Sequence, residues 1–237
     1  MQGQIHIYWL KIKDIIQETR EIKTFLLERP EGFTWEPGAH THFALPGFNA
    51  CDKPNRHLVR HMSISTHPSE EFIGITTRIR EQCSEFKSLL RNFSIGDETA
   101  IFKTHNNMPL KRAGKKVYLL SAGVGLATFR PIVLDYLQNP AGIEHMYSLN
   151  IESSGQFLFP DIFHYAPDKN FTAQFVDNRS AYYEEVRKLA EDKDGLFYIV
   201  GSDEFLHHNI AVLREHGIPA EQMMIDKRED QKEQFLG

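Results

Sequence analysis

The sequence predicts two domains of different architecture: a six-stranded antiparallel β-barrel in residues 1–108 and a doubly wound, parallel-sheet α/β domain in residues 109–237. Short stretches of alternating polar and apolar side chains, separated by turn residues, fill the first hundred residues. Further along, patterns typical of buried strands alternate with helical patterns, as they do in parallel sheets. A chain of 237 residues is also long enough for two domains of ~100–150 residues each.

The predicted barrel has six segments with the length and period-two alternation of half-buried strands. They are residues 5–16, 21–27, 40–45, 58–65, 71–79 and 98–103. Strands at this spacing predict closure into a barrel. Between the last two, residues 84–92 place Phe86, Leu89 and Leu90 on one helical face, so we expect a helix that plugs one end of the barrel. Its start at Ser84 is a possible anion site.

The second half of the chain begins after a polar linker, residues 106–115, which contains Pro109 and Gly114. The expected strands are 117–120, 144–150, 171–176, 196–200 and 223–225, and the expected helices are 128–138, 157–165, 181–191 and 203–216. Sheets of this kind bind ligands at the carboxyl ends of their strands. The tail after Asp226 is charged, and we expect it to be mobile apart from Phe235 and Leu236.

A glycine turn joins the first strand and the first helix of this second domain. The run Gly123-Val124-Gly125 follows an apolar strand and precedes a helix that starts at Thr128. Unpaired N–H groups and the positive end of the helix dipole make such a turn an anion site, with a pyrophosphate as the usual occupant. A GxG turn between strand and helix also occurs as plain close packing, and both readings stay open on this evidence.

Composition excludes several classes of partner. The formal net charge of −5 provides no bulk attraction to nucleic acid or to an anionic membrane. No run approaches ~18 consecutive apolar residues, and the first residues lack the pattern of a signal peptide. We therefore expect neither partner and a cytoplasmic location. Cys51 and Cys83 are too few for an all-cysteine iron–sulfur cluster or a cysteine zinc site.

Histidines in the first domain raise the question of a metal site. His40 and His42 alternate onto one strand face, and His57 and His61 follow on a later segment. These histidines have no firm carboxylate partner and no helical spacing, so we interpret them as solvent-facing or hydrogen-bonding groups and predict no metal.

Five short motifs are informative as an ordered set, although each is weak alone. They are the Pro37-Gly38 turn within residues 33–45, Arg60-His61-Met62-Ser63 followed by Ile64-Ser65, Cys83-Ser84, Ala122-Gly123-Val124-Gly125, and Tyr198-Ile199-Val200-Gly201-Ser202. In this order they resemble the motifs of the ferredoxin–NADP reductase superfamily of flavin oxidoreductases, over nearly the whole chain. The resemblance implies that the barrel binds a flavin and that the α/β domain binds NAD(P)H.

The resemblance also implies roles for individual residues. Arg60 would contact the flavin phosphate together with the Ser84 hydroxyl and the adjacent helix N–H groups. Ser63 would lie near flavin N5, where hydride arrives, and is the candidate catalytic residue. The plain structural alternatives are an exposed strand arginine, an ordinary helix cap and an ordinary strand serine. The full set of candidate cofactor-binding residues is Arg60, His61, Met62, Ser63, Ile64, Ser65, Thr76, Cys83, Ser84, Gly123, Val124, Gly125, Thr128, Arg179, Gly201 and Ser202.

The sequence departs from the family pattern where the flavin and nicotinamide would meet. Met62 replaces an aromatic residue, Ala127-Thr128 replaces Thr-Pro, Val200 replaces a cysteine, and Asp226 and Arg228 replace a glutamate and an aromatic residue. Two hypotheses follow. The first is an FAD-dependent NAD(P)H oxidoreductase that passes electrons to a separate acceptor such as ferredoxin, flavodoxin or an oxygenase component. The second is a flavin- or nucleotide-binding subunit or sensor with little or no turnover. FMN is the alternative flavin.

Groups beyond the second and third strands bear on the choice of dinucleotide. Glu152 follows the second strand, where a carboxylate favours a ribose diol and hence NADH. Arg179 follows the third strand, where NADP-using relatives place an arginine for the 2′-phosphate. We expect NADPH through Arg179, with Ser148 as a helper, while NADH stays the alternative.

Overall fold

The chain divides into two compact units, the first ending at Asn106 and the second comprising Asn107–Gly237. The computed structural model describes residues 5–163 and 170–237. Between His105 and Lys115, residues 106–114 form neither helix nor strand, as predicted for a linker. Within the described ranges, no helix has both the length and the apolar character needed to cross a membrane.

The first unit is a six-stranded antiparallel sheet with the strand order β4-β3-β6-β1-β2-β5. Its strands are β1 (Ile7–Gln17), β2 (Ile22–Leu27), β3 (His40–Ala44), β4 (Val59–Ser63), β5 (Ile73–Arg78) and β6 (Glu98–His105). The outer strands β4 and β5 meet where Ile64 pairs with Ile75 and the Ser65 N–H donates to the Gly74 carbonyl at 2.8 Å. This pairing closes the sheet into the predicted barrel.

The helix α1 (Glu85–Arg91) packs on the apolar core of the barrel. Phe86 and Leu90, one turn apart, are both fully buried in the same cluster as Phe43 and Ile101. Leu89, which the sequence pattern predicts on the same face, is 41% exposed. The helix therefore buries the i, i+4 pair Phe86 and Leu90 and leaves the third apolar side chain partly exposed.

The second unit is a five-stranded parallel sheet with the order β11-β10-β7-β8-β9. The strands are β7 (Lys115–Ala122), β8 (Ile143–Ile151), β9 (Phe171–Val176), β10 (Leu196–Val200) and β11 (Met223–Ile225). The helices are α2 (Leu126–Gln138), α3 (Pro160–Phe163), α4 (Arg179–Leu189), α5 (Asp203–Glu215) and α6 (Glu229–Leu236). The predicted helix 157–165 corresponds to α3, and its last two residues lie outside the described part of the chain.

Helices cover both faces of this sheet, as the doubly wound prediction requires. Tyr182 of α4 and Leu206 of α5 belong to one buried cluster with Leu120 of β7 and Phe197 of β10. The helix α2 contributes no described residue to that cluster and packs on β7. Because parallel crossovers are right-handed, the connections that run toward β9 and those that run toward β11 place their helices on opposite faces.

The tail forms helix α6, which the sequence analysis did not anticipate. Phe235 is only 8% exposed, and its ring stacks on His207 with centroids 4.5 Å apart. The Lys227 ammonium lies 5.2 Å from the same ring. The expectation of a mobile tail was therefore wrong for residues 229–234, which are helical, whereas Phe235 and Leu236, which it excepted, pack on the core of the second unit.

A bulge in β6 gathers histidines on one face of the first unit. Lys103 has φ +51°, and the pairing of β3 with β6 shifts there, so that His40 pairs with His105 while His42 pairs with Phe102. The rings of His42 and His61 lie 3.9 Å apart, and those of His40 and His105 lie 4.0 Å apart. In the described ranges, no group of three or more possible ligands is arranged to hold a metal ion.

The charged form of His42 is disfavoured in this histidine face. The pKa of His42 is lowered from 6.5 to about 4, chiefly by burial and further by the charges of His61, Lys103, His40 and His105. An unfolded chain takes up a proton at this residue below pH 6.5, whereas the folded chain does so only near pH 4. The ionisation of His42 therefore does not change the free energy of unfolding above pH 6.5. As the pH falls from 6.5 toward 4, it lowers that free energy progressively.

We predict that His42→Gln reduces the acid sensitivity of the fold. The free energy of unfolding, measured with urea between pH 7.5 and 4.5, should fall less steeply for this variant than for the wild type. His57→Gln is the matched control, because His57 is exposed and lies outside the histidine face. Identical pH slopes for His42→Gln and the wild type would contradict the prediction.

Candidate functional site

The side chain of Arg60 on β4 is held by nearby main-chain carbonyls and by an aromatic ring. Its Nη1 donates to the carbonyls of Val59 at 2.7 Å and His57 at 3.2 Å. Its guanidinium carbon lies 5.1 Å from the centre of the Phe86 ring on α1. The side chain therefore lies beside α1, the helix whose N-cap is Ser84.

Three further cations lie near Arg60. Burial lowers the pKa of Lys87, and the charges of Arg78, Arg80 and Arg60 lower it further, against a smaller opposing effect of Cys83. Burial is the larger cause, but the contributions of three arginines show that several positive charges lie close to Lys87, and among them Arg80 has a carboxylate partner, Glu21 at 3.6 Å. Such a place suits a ligand with more than one negative charge.

Sequence analysis missed Arg78, Arg80 and Lys87. The two arginines alternate at the end of β5, and Lys87 lies three residues after the Ser84 cap. The signal available in the sequence was the basic content of these two segments, but only barrel closure places the end of β5 beside β4.

The Cys83-Ser84 turn is ordered by Arg91 at the other end of α1. Nη2 of Arg91 lies 3.3 Å from Sγ of Cys83, and the same nitrogen donates to the carbonyls of Arg80 and Glu81. Ser84 occupies the N-cap position, and its exposed side chain makes no capping hydrogen bond within the described structure. Its hydroxyl is therefore available to a ligand.

The Arg60 motif alternates across β4. Met62 packs against the barrel core, whereas His61 is exposed on the opposite face and belongs to the histidine face. Ser63 ends the strand, pairs with His40 and is half-buried. Ile64 is fully buried, and its N–H donates to the Ala39 carbonyl at 2.9 Å, so that donor is not available to a flavin ring.

Ser65 and Thr76 are buried where the barrel closes. The Thr76 hydroxyl donates to Ser65 Oγ at 2.8 Å and lies 2.7 Å from Thr24 Oγ1, which donates to Glu18 at 2.6 Å. With 1% and 7% exposure, Ser65 and Thr76 have their hydroxyls engaged inside the barrel. In this structure they join strands, and neither presents its hydroxyl to solvent.

In the second unit, the glycine turn lies against the end of β10. Gly123–Gly125 form a 3₁₀ turn, in which Gly123 has φ +52°. A Cβ on Gly125 would lie 2.8 Å from the Val200 carbonyl oxygen, so only glycine allows this approach. The structure thus brings two of the predicted motifs together at the carboxyl ends of β7 and β10, where the strand order reverses.

Neighbouring polar residues support this turn from inside the sheet. Asn150, only 2% exposed, donates to Ser121 Oγ at 2.8 Å and approaches the Gly123 carbonyl at 3.4 Å. Sequence analysis missed it, although an asparagine at the end of an apolar strand was the available signal. Ser202 is exposed and caps α5 by accepting from the Phe205 N–H at 3.2 Å. Thr128 is 2% exposed, so its side chain lies in the core and not at the edge of the sheet.

The three residues that the sequence analysis linked to the choice of dinucleotide are Arg179, Ser148 and Glu152. In the structure, the first forms an ion pair and the other two are buried. Arg179 begins α4, and its Nη2 lies 2.7 Å from Oε1 of Glu204 in the first turn of α5. Ser148 is 2% exposed in the interior of β8, which argues against its predicted role as a helper. Glu152 is 6% exposed, and its Oε1 accepts hydrogen bonds from the N–H and hydroxyl of Ser154.

Comparisons with known proteins identify the fold. No protein-family model and no curated protein matches the chain. A ferredoxin NADP+ reductase from Neisseria gonorrhoeae, solved with bound FAD and NADP, aligns with 93% of this chain and 98% of its own, at a TM-score of 0.79 and 16% identity. The CS-b5R domains of human Ncb5or in the NAD+ form align over 95% of this chain and 71% of their own chain, at a TM-score of 0.78 and 14% identity.

A third solved structure has the same architecture. Phthalate dioxygenase reductase, described as a modular structure for electron transfer from pyridine nucleotides to [2Fe-2S], aligns over 93% of this chain and 67% of its own. The TM-score is 0.72 at 17% identity. The antiparallel barrel and the parallel sheet with helices on both faces recur together in these structures. The chain therefore has the two-domain fold of the ferredoxin–NADP reductase superfamily.

Proposed function

We propose that this chain is a flavin-dependent NAD(P)H oxidoreductase, with FAD bound by the barrel unit and the dinucleotide bound by the sheet unit. The observation that carries the proposal is the cluster of Arg60, Arg78, Arg80 and Lys87 beside the Cys83-Ser84 turn. The solved structure with bound FAD and NADP that shares this fold supports the same assignment.

The positive cluster fits the diphosphate of FAD. The flavin, when bound, supplies the redox chemistry, taking a hydride and releasing electrons to an acceptor. Arg60 would hold one phosphate through its forked guanidinium, and the Ser84 hydroxyl would donate to the same group. Lys87 would hold its proton more strongly beside a diphosphate than it does now, because added negative charge raises a lysine pKa. Four cations favour FAD over FMN, which carries one phosphate.

Ser63 remains the proposed catalytic residue. It stands at the end of β4, three residues after Arg60, and is half-buried. In this proposal its hydroxyl donates a hydrogen bond to the flavin nitrogen at which hydride arrives and so orients the ring. Met62 would contribute an apolar contact where the family has an aromatic ring.

The dinucleotide would sit over Gly123–Gly125. Main-chain N–H groups of the turn and the N-terminus of α2, a helix of 13 residues, would bind the pyrophosphate. Gly201 and Ser202 follow β10 at the same edge and are exposed. In this proposal a separate acceptor takes the electrons, and any all-cysteine iron–sulfur centre would belong to it, since Cys51 and Cys83 are too few for one. We place this activity in the cytoplasm.

The proposal predicts that Arg60→Ala weakens FAD binding about 10- to 100-fold, since a charge-assisted hydrogen bond contributes about 1.5–3 kcal/mol. Flavin fluorescence titration of the apoprotein measures this affinity. Arg56→Ala, which removes an exposed arginine four residues earlier, is the matched control and should bind FAD like the wild type. Equal affinities for Arg60→Ala and the wild type would refute the phosphate assignment.

Turnover is tested by anaerobic mixing with NADH or NADPH. A yellow protein that either dinucleotide bleaches supports the oxidoreductase. Bound flavin that neither dinucleotide reduces would instead indicate a binding subunit, for which the loss of the family's cysteine at Val200 is the sequence evidence. A colourless protein that takes up neither FAD nor FMN would contradict any flavin role.

Gly125→Ala should weaken dinucleotide binding and leave FAD affinity unchanged. The new Cβ would meet the Val200 carbonyl oxygen at 2.8 Å, and relieving such overlap costs about 1–3 kcal/mol of local distortion. Calorimetric titration with the oxidised dinucleotide measures the first effect, and the flavin titration serves as the internal control. Unchanged dinucleotide affinity in a folded variant would exclude the glycine turn as the pyrophosphate site.

A further inference from the structure

We infer that Glu204 is a specificity residue that occupies Arg179 and thereby lowers the affinity of this chain for dinucleotides with a 2′-phosphate. The inference rests on the proposed function and names which dinucleotide its site takes. It replaces the expectation of NADPH, which weighed Arg179 against Glu152 and did not include Glu204.

Two helix starts bring these side chains together. Arg179 is the first residue of α4, after β9, and Glu204 is the second residue of α5, after β10. Both strands end at the same edge of the parallel sheet, where dinucleotides bind in this kind of fold. Arg179 Nη2 lies 2.7 Å from Glu204 Oε1, which is the distance of a charge-assisted hydrogen bond.

The surroundings of Glu204 are compatible with this pair. As an acidic side chain in the first turn of α5, it lies at the positive end of the helix dipole. His208, one turn later, places Nδ1 2.9 Å from the Glu204 carbonyl and 3.5 Å from Arg179 Nη2. The adjacent Asp203 pairs with Lys227 at 2.7 Å, so it does not compete for Arg179. The pKa of Glu204 is lowered, chiefly by its hydrogen bond from Arg179.

A 2′-phosphate would have to displace this carboxylate. The incoming group carries negative charge, so it would also be repelled by Glu204 while the glutamate remains close. A ribose diol brings no charge, leaves the pair intact and can donate a hydrogen bond to the carboxylate. The arrangement therefore favours the diol form.

The expected effect is modest, because both side chains are largely exposed, at 61% and 65%. Exposed ion pairs are weak, and their measured strengths correspond to about two- to fivefold in an equilibrium constant. Glu204 therefore adjusts the choice of dinucleotide without excluding the phosphorylated form.

The test compares two probes, 2′,5′-ADP and 5′-ADP, in calorimetric titrations of the full chain. The wild type should bind 5′-ADP at least as tightly as 2′,5′-ADP. Glu204→Gln should tighten 2′,5′-ADP binding about two- to fivefold and leave 5′-ADP binding unchanged. Adding Arg179→Gln to that variant should remove the gain. Glu215→Gln, the same change at an exposed position at the end of α5, is the control and should alter neither affinity.

The outcomes separate this inference from the proposed function. If both adenylates bind and Glu204→Gln does not change their ratio, the inference is overturned while the dinucleotide site stands. A wild type that binds 2′,5′-ADP more tightly than 5′-ADP also overturns it. If neither adenylate binds the wild type, the dinucleotide site fails, and the inference fails with it.

Discussion

The pairing of β4 with β5 is the constraint on which the first unit depends. These outer strands meet through the short bridge between Ile64 and Ile75, reinforced by the buried hydroxyls of Ser65 and Thr76. Without closure, the sheet would have two open edges and no enclosed core. Closure also brings the end of β5 beside β4, and this neighbourhood concentrates the arginines around Lys87. The positive site is therefore a product of barrel geometry and not of a contiguous motif.

The second unit depends on a comparable constraint, the reversal of strand order between β7 and β10. The reversal opens a crevice because the helices on either side of it lie on opposite faces of the sheet. Gly125 approaches Val200 closely at that point, and Asn150 holds the turn from the neighbouring strand. At this point the glycines of the turn and the buried side-chain amide of Asn150 take the place of the large apolar side chains that pack elsewhere in the sheet.

Local pattern predicted most of the fold but only part of the candidate site. Strand alternation and apolar runs report burial directly, so β9 and β10 were predicted with their observed bounds. The bulge at Lys103 has no sequence signal, since a lysine at positive φ is imposed by tertiary pairing. Glu204 illustrates the same limit, because its partner Arg179 lies 25 residues away on another helix. A sequence motif within one segment cannot predict an ion pair between residues that only the fold brings together.

The depressed lysine pKa beside three arginines has a consequence for biogenesis. Like charges held together oppose folding, so a diphosphate bound beside them would offset part of their mutual repulsion. Under the proposed function, the cofactor is then a counter-ion for the newly made polypeptide as well as a redox group, and ligand that binds only the native state shifts the folding equilibrium by mass action. The supply of flavin would set how much of this protein a cell keeps.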